Sequence, residues 1–389
     1  AKDLGNFVSN YDFYNQWIIL PEVEGQEVAR HYGRVFLRWE LKVSIGKDWY
    51  FEDIDLNSTT QTEYSDYVWS NYVNQVDSIS SSDLVINSGN LQVGSALGLA
   101  KVSSLINNDK DSLYTNKSIS LTNDINLYGR LFTPIGGATI LECYQNNLFK
   151  GVFNGNNHTI NGLFVVTEKD AGLFGASKAQ SYSDLKFTNA ILISNGGSIG
   201  TLVARVEGNT TIKNISINEQ VGEEEPGSLY IMFGAETDER YAGGIVGSAL
   251  SSSISITNIT IDSNEKSQIY NGNIVGGLIG RASSCKTVSI SLSKNYQKLT
   301  GSYYAGGLIG SLVSSNAILS QSFNEGDIYQ TCVDASIYAV GGLIGMSDSM
   351  SSISIGECYN SSYLSGVNIG GLVGMYYGNQ ALNIIDSYV

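Results

Sequence analysis

Proline, histidine and charge are scarce in this chain. Its 389 residues include three Pro, two His and four Cys, and 15% are charged, against roughly 25% in an ordinary globular domain. His31 and His158 are the only histidines and no HExxH occurs, which excludes a metallopeptidase of that type and any multi-histidine metal site. Cys143, Cys285, Cys332 and Cys358 form no CxxC, so neither a zinc ribbon nor a thioredoxin-type site is supported. They are too few for a disulfide-built scaffold, although one or two bridges remain open. Apolar runs end after a few residues, as at 17–20, well short of the ~18 needed to span a membrane. Basic residues are in deficit, 22 Lys plus Arg against 37 Asp plus Glu for a net charge of −15. Such a surface repels nucleic acid and anionic lipid. The chain begins at Ala1 with no basic, apolar leader, as expected of a mature secreted chain or a trimmed one.

Glycine is abundant and unevenly placed. Of 43 glycines, four lie in residues 1–83 (Gly5, Gly25, Gly33 and Gly46) and the rest follow. The first segment holds all four Trp, and the alternation of Val35, Leu37, Trp39, Leu41 and Val43 predicts a strand returning as a hairpin over 49–56. Residues 1–83 therefore read as a small β-rich N-terminal domain, an assembly or capping module. The serine run at 78–82 reads as a linker. Residues 95–107 carry the helical period, with Leu97, Leu99, Val102, Leu105 and Ile106 near one face.

A repeat decides the fold of the remainder. GLFG at 172–175, GGIVG at 243–247, GGLIG at 276–280, 306–310 and 341–345, and GGLVG at 370–374 mark successive units, with a degenerate copy at Gly200–Ala204. The markers fall at 172, 201, 244, 277, 307, 342 and 371, at intervals of 29, 43, 33, 30, 35 and 29 residues. A second β-branched segment follows most of them, at 185–193, 212–217, 254–261, 288–292, 318–323 and 353–358. One unit of two or three short strands cannot bury its own apolar residues, whereas stacked units share a core. The fold class is thus all-β, a right-handed parallel β-helix or β-solenoid with a short capping helix. At ~4.8 Å per stacked strand its rungs make a rod roughly 35 to 45 Å long. Gly172, Gly175, Gly244, Gly247, Gly277, Gly280, Gly307, Gly310, Gly342, Gly345, Gly371 and Gly374 are its structural glycines, placed where backbones approach closely or φ is positive.

These motifs resemble the GLUG-repeat family of secreted and surface-attached proteins, whose Gly-Leu-any-Gly units also occur beside IgA-specific metallopeptidases. The stretches ISLTNDINL at 119–127, FTPIGG at 132–137 and FKGVFNGNNHTINGLFV at 149–165 look like that family's approach to its repeats. The resemblance covers 84–389, with a lead-in at 84–165 and repeats over 166–389; Thr201–Ala204 departs from it, and the 43-residue interval must hold an insertion. It implies an extracellular solenoid for display, adhesion or assembly, and supplies no catalytic residue.

Candidate sites are sparse. The insertion at 219–240 gathers Glu223, Glu224, Glu225, Asp238 and Glu239, hard oxygen donors suited to Ca²⁺ or to a charged partner. No other cofactor is expected. Asp109 and Asp111 read as solvated turn residues, and His158 as a turn residue without catalytic partners. Tyr241, Tyr304 and Tyr338 precede their markers and form either a sugar-stacking ladder or rim packing. Sequons at Asn57, Asn116, Asn157, Asn209, Asn214, Asn258 and Asn360 are possible glycosylation acceptors, though no more numerous than chance gives. The last segment, 382–389, matches the second half of a rung without a polar cap. The expected role is non-catalytic: a secreted or cell-surface structural protein whose partners are itself, head to tail as a filament, or other extracellular proteins and glycans. The alternative is a carbohydrate-binding or carbohydrate-cleaving β-helix, which needs a Tyr groove with a carboxylate pair.

Overall fold

A computed structural model describes residues 79–127, 131–137, 147–167, 170–194, 196–218, 229–233, 240–263, 267–332 and 337–389, with the strands Trp17–Ile19 and Val35–Leu37 and residues Trp69 and Val73. The solenoid is a parallel β-helix with three sheets. The marker sheet stacks seven strands in chain order, Phe174–Ser177, Val203–Glu207, Val246–Leu250, Ile279–Ser283, Ile309–Val313, Ile344–Ser347 and Val373–Tyr376. Each strand directly follows one of the seven expected markers, the degenerate copy at 201 included.

The second sheet runs from Asn90–Val93 through Ser118–Leu121, Val152–Asn154, Ser181–Thr188, Thr210–Ile217, Ser253–Ile261, Thr287–Ser291, Ala317–Ser320 and Ile353–Gly356 to Leu382–Ile385. The third carries Phe164–Thr167, Ala190–Ser194, Leu229–Phe233, Gln268–Gly276, Lys298–Gly306, Ile328–Gln330 and Leu364–Ser365, flanked by Gly197–Gly200, Arg240–Gly243, Ala339–Gly341 and Asn368–Gly370. The expected segment at 185–193 therefore straddles two sheets. The chain turns at Asn189, whose φ of 53° ends one strand before the next begins.

The structural glycines act through closeness alone. None of the twelve has a positive φ, so the conformational half of the expectation does not apply to them. A Cβ built on Gly280, Gly310 or Gly345 would meet the carbonyl oxygen of Gly247, Gly280 or Gly310 at 2.5 Å. The same atom on Gly244, Gly277, Gly307 or Gly342 would drive into the carbonyl oxygen of the next rung's marker glycine. At the markers two backbones touch with no side chain between them.

Helix α1, Ala96–Asn107, falls where the period places it. Ser95 caps it by accepting the Gly98 N–H at 3.2 Å. Leu99, Val102 and Ile106 enter the solenoid core with no exposure. The Asn107 side chain holds the lead-in by donating to the Pro134 carbonyl at 2.9 Å and accepting from Gly136 N–H at 2.7 Å. The core cluster reaches back to Trp69 and Val73, and the Trp69 indole donates to the Leu127 carbonyl at 3.1 Å. The serine run is tied down at its described end, where the Asp83 carboxylate accepts from the Ser80 and Ser95 hydroxyls, each at 2.5 Å. Val35–Leu37 is a strand as expected, paired antiparallel with Trp17–Ile19; the rest of that hairpin lies outside the described residues.

A column of left-handed residues bends the second sheet in every repeat rung: Asp184, Asn214, Asn258, Leu292, Gln321, Glu357 and Asp386, with φ between 48° and 56°. Each shifts the strand alternation by one, so that Ile254 and Ile256 point inward before Asn258 and Ile259 and Ile261 after it. Their side chains bridge rungs, Asn258 donating to Asn214 and Asn214 to Asp184, each at 2.8 Å, and Gln321 donating to Glu357 at 2.9 Å. Leu292 interrupts the column with a half-exposed aliphatic side chain in a conformation that asparagine tolerates far better. Leu292→Asn is expected to raise stability by about 1 kcal/mol, by relieving φ and by donating to Asn258. Thermal unfolding checks this, and a lowered midpoint would sink it.

Candidate functional site

The most distinctive chemistry lies at the bend between the second and third sheets in the C-terminal rungs. In the earlier rungs the two inward columns beyond the left-handed residue are apolar: Leu185, Ile215 and Ile259 in one, Phe187, Ile217 and Ile261 in the other. From the next rung onward they turn polar. Ser293, Ser322, Cys358 and Ser387 continue the first, and Asn295, Asn324 and Asn360 the second.

Burial obliges these groups to pair. The Ser293 and Ser322 hydroxyls each donate to the carbonyl two residues back at 2.8 Å, while Ser322 accepts the Ser293 N–H at 3.1 Å. Asn295 donates its amide to Asn324 at 2.7 Å, and Asn324 donates to Asn360 at 3.0 Å and to the Gly326 carbonyl at 2.9 Å. All three asparagines are fully buried. They cover the second marker glycines: a Cβ on Gly277, Gly307 or Gly342 would run into Asn295, Asn324 or Asn360, just as one on Gly244 would run into the Ile261 side chain.

One residue before each asparagine the side chain points outward and builds an aromatic stack. Lys294 lies over Phe323 at 5.5 Å, Phe323 stacks on Tyr359 at 4.5 Å and 14°, and Tyr359 on Tyr388 at 5.2 Å and 5°. Tyr296 meets Phe323 edge-on at 5.7 Å. The Tyr359 hydroxyl donates to Glu325 at 2.7 Å. Burial and that carboxylate together push the phenol far above its ordinary pKa. Across the bend the Tyr329 hydroxyl donates to Asp327 at 3.3 Å, and Tyr329 faces Tyr363 at 5.8 Å.

The residues singled out from sequence fare differently. Glu223, Glu224, Glu225, Asp238 and Glu239 lie outside the described residues, as do Asn57 and Cys143. Among the described residues no group of three or more His, Cys, Asp or Glu is placed to hold a metal, and no helix is long and apolar enough to cross a membrane. Cys285, Cys332 and Cys358 carry no disulfide. Tyr338 stacks on Tyr303 at 4.4 Å and meets Tyr304 edge-on at 6.2 Å, whereas Tyr241 packs under the Arg281 guanidinium at 4.9 Å. The three therefore do not form one ladder. Asn116, Asn157, Asn209, Asn214 and Asn258 are exposed, but Asn360 is a buried rung of the amide ladder and is corrected here as inaccessible to glycosylation. His158 lies 3.2 Å from Asp124 of the preceding coil.

Asp109 is also a correction, because it is buried rather than solvated. Its carboxylate accepts the N–H groups of Leu113, Tyr114 and Thr115 at 2.8, 2.7 and 2.8 Å, closing the loop after α1, while Asp111 stays exposed. Burial alone would raise its pKa, but these donors hold it below the usual carboxylate value. With the folded-state pKa below the unfolded one, the stabilisation is complete above about pH 4 and fades as pH falls through the folded value. Asp109→Asn is expected to cost about 1–3 kcal/mol at pH 7 and less at an acid pH below the folded-state value of the carboxyl. Urea unfolding at both pH values tests it; an equal penalty at both would refute the carboxylate's role.

No family model and no curated protein matches the chain. Among solved structures it is similar to a candidate immunoglobulin A1 protease from Bacteroides ovatus, at 16% identity and a TM-score of 0.41, over 77% of this chain and 78% of that one.

Sequence reasoning missed the asparagine and aromatic columns. Their signal was present, since Asn295, Asn324 and Asn360 stand 18, 17 and 18 residues after Gly277, Gly307 and Gly342. Asparagine just after a short β-branched segment reads as a turn, which concealed a buried ladder.

Proposed function

We propose that this chain is a stiff, non-catalytic rod of the extracellular kind, secreted or cell-surface, working in display, adhesion or head-to-tail assembly, as the GLUG-like markers suggest. The observation that carries this reading is the outward aromatic stack. Phe323, Tyr359 and Tyr388 lie nearly parallel along the direction in which the rungs stack, adding side-chain cohesion to the backbone ladder in that direction. A sugar platform needs open ring faces, whereas Tyr359 has an aromatic ring on both of its own. Glu325 and Asp327 each accept a tyrosine hydroxyl. The glycan-binding or glycan-cleaving reading therefore ranks second. Ca²⁺ is proposed only for the acidic insertion, through Glu223, Glu224, Glu225, Asp238 and Glu239.

Negative-stain microscopy with light scattering over a concentration series, with and without Ca²⁺, tests the proposal. Stiff particles that associate end to end support it. Compact, flexible particles would overturn the rod. Glycan-array binding that disappears in Tyr338→Ala would move the carbohydrate reading to first place.

A further inference from the structure

The outward face of the third sheet changes character along the solenoid. On its first three rungs Phe164, Val166, Ile191, Ile193, Tyr230 and Met232 alternate with the inward Val165, Leu192 and Ile231 and therefore point away from the core. They are nevertheless only 1–8% exposed, and none of them joins the core cluster. One rung further the same columns hold Gln268 and a 41% exposed Tyr270, then Lys298 and Thr300. An apolar outer strip thus covers three rungs, about 10 Å at ~4.8 Å per rung, and stops.

The N-terminal segment contains the complementary element. The ribbon of Trp17–Ile19 paired with Val35–Leu37 has an apolar residue at all six positions, Trp-Ile-Ile against Val-Phe-Leu. None of the six positions offers a polar residue, and an isolated two-stranded ribbon is marginal in water without a surface to pack on. Its three-residue strands are also about 10 Å long. The acidic insertion is a poorer match, since 219–228 is dominated by Glu and Gly.

We propose that this ribbon seats on the outer strip, so that the N-terminal segment is an intramolecular side cover of the first rungs rather than a freely tethered module. The contact is apolar on both sides, and it ends where Gln268 and Lys298 make the face polar.

Hydrogen exchange with peptide-level mass analysis, on the full chain, tests this with the double variant Ile191→Lys/Tyr230→Lys. Peptides covering 10–40 are expected to exchange at least tenfold faster, with peptides in 279–320 unchanged. Tryptophan emission should shift to the red, since all four Trp lie within residues 1–69. Unchanged exchange in 10–40 would overturn the proposal, and acceleration confined to 219–239 would assign the strip to the insertion instead. If the double variant loses protection in 279–320, the reciprocal test applies. Maleimide labelling of Met232→Cys is expected to be at least tenfold faster when Ile18→Asp is added, and equal rates would overturn the proposal.

Discussion

Adding one methyl group at Gly307 is expected to destabilise the solenoid by about 3 kcal/mol, at the upper end of what overpacking costs, while the same addition at Gly356 changes little. The new Cβ at 307 would meet the carbonyl oxygen of Gly342 and the buried side chain of Asn324, neither of which is a flexible end that can move aside. Around Gly356 nothing lies within 4 Å, and its φ is not positive. Replacing a strand glycine by alanine there is neutral or slightly favourable. Urea unfolding followed by far-UV circular dichroism compares Gly307→Ala with Gly356→Ala. Equal midpoints would mean that the marker glycines are not spacers.

The second large effect concerns the amide ladder, where one change is expected to be worse than three. Asn324→Ile removes the central amide and leaves Asn295 with only the Gln297 carbonyl at 3.3 Å, Asn360 with only the Ser362 hydroxyl, and the Gly326 carbonyl without the Asn324 amide, all in the core. Orphaned buried polar groups cost about 1–3 kcal/mol each, so the single variant should lose about 3–5 kcal/mol. Changing Asn295, Asn324 and Asn360 together to Ile removes every amide-to-amide bond of the ladder. Ile217 and Ile261 already occupy the same column below, with Ile261 seated over Gly244 as Asn295 is over Gly277. The triple variant is therefore expected to lose less than the single one, because the amide-to-amide partners vanish together and only the Gln297 and Gly326 backbone groups and the Ser362 hydroxyl lose a bond. Unfolding midpoints decide the matter; a triple variant weaker than the single one would show that the ladder contributes net stability.

The solenoid was legible because its glycines are forced. At most markers a Cβ would strike the next rung, and that spacing recurs with the rung, so even the copy at Thr201, which does carry a Cβ, could be placed by spacing. The third sheet was much less legible. Its strands run up to the first marker glycine through stretches of mixed polarity such as Lys298–Gly306, and no alternation announces where they start. The bend at Asn189 was missed because a left-handed residue interrupts an apolar run without altering its composition. Asp109 was misjudged because its partners are backbone N–H groups, which no side-chain pattern reveals. The buried asparagines read as turns for the same local reason that the exposed ones do.

The change of column type between Ile261 and Asn295 bears on how such a chain folds to a unique state. Coils of similar sequence face a counting problem, since a strand can pair with the wrong neighbour at almost the same local energy, leaving one coil looped out. Here the interior is indexed. Slipping by one coil would set Asn324 against Ile261 instead of Asn295 and strand at least one amide in the core, at about 1–3 kcal/mol per orphaned group. A single buried asparagine fixes register in this way in coiled coils. The boundary between oily and amide coils is thus an address, and it tells the nascent chain which rung is the fourth.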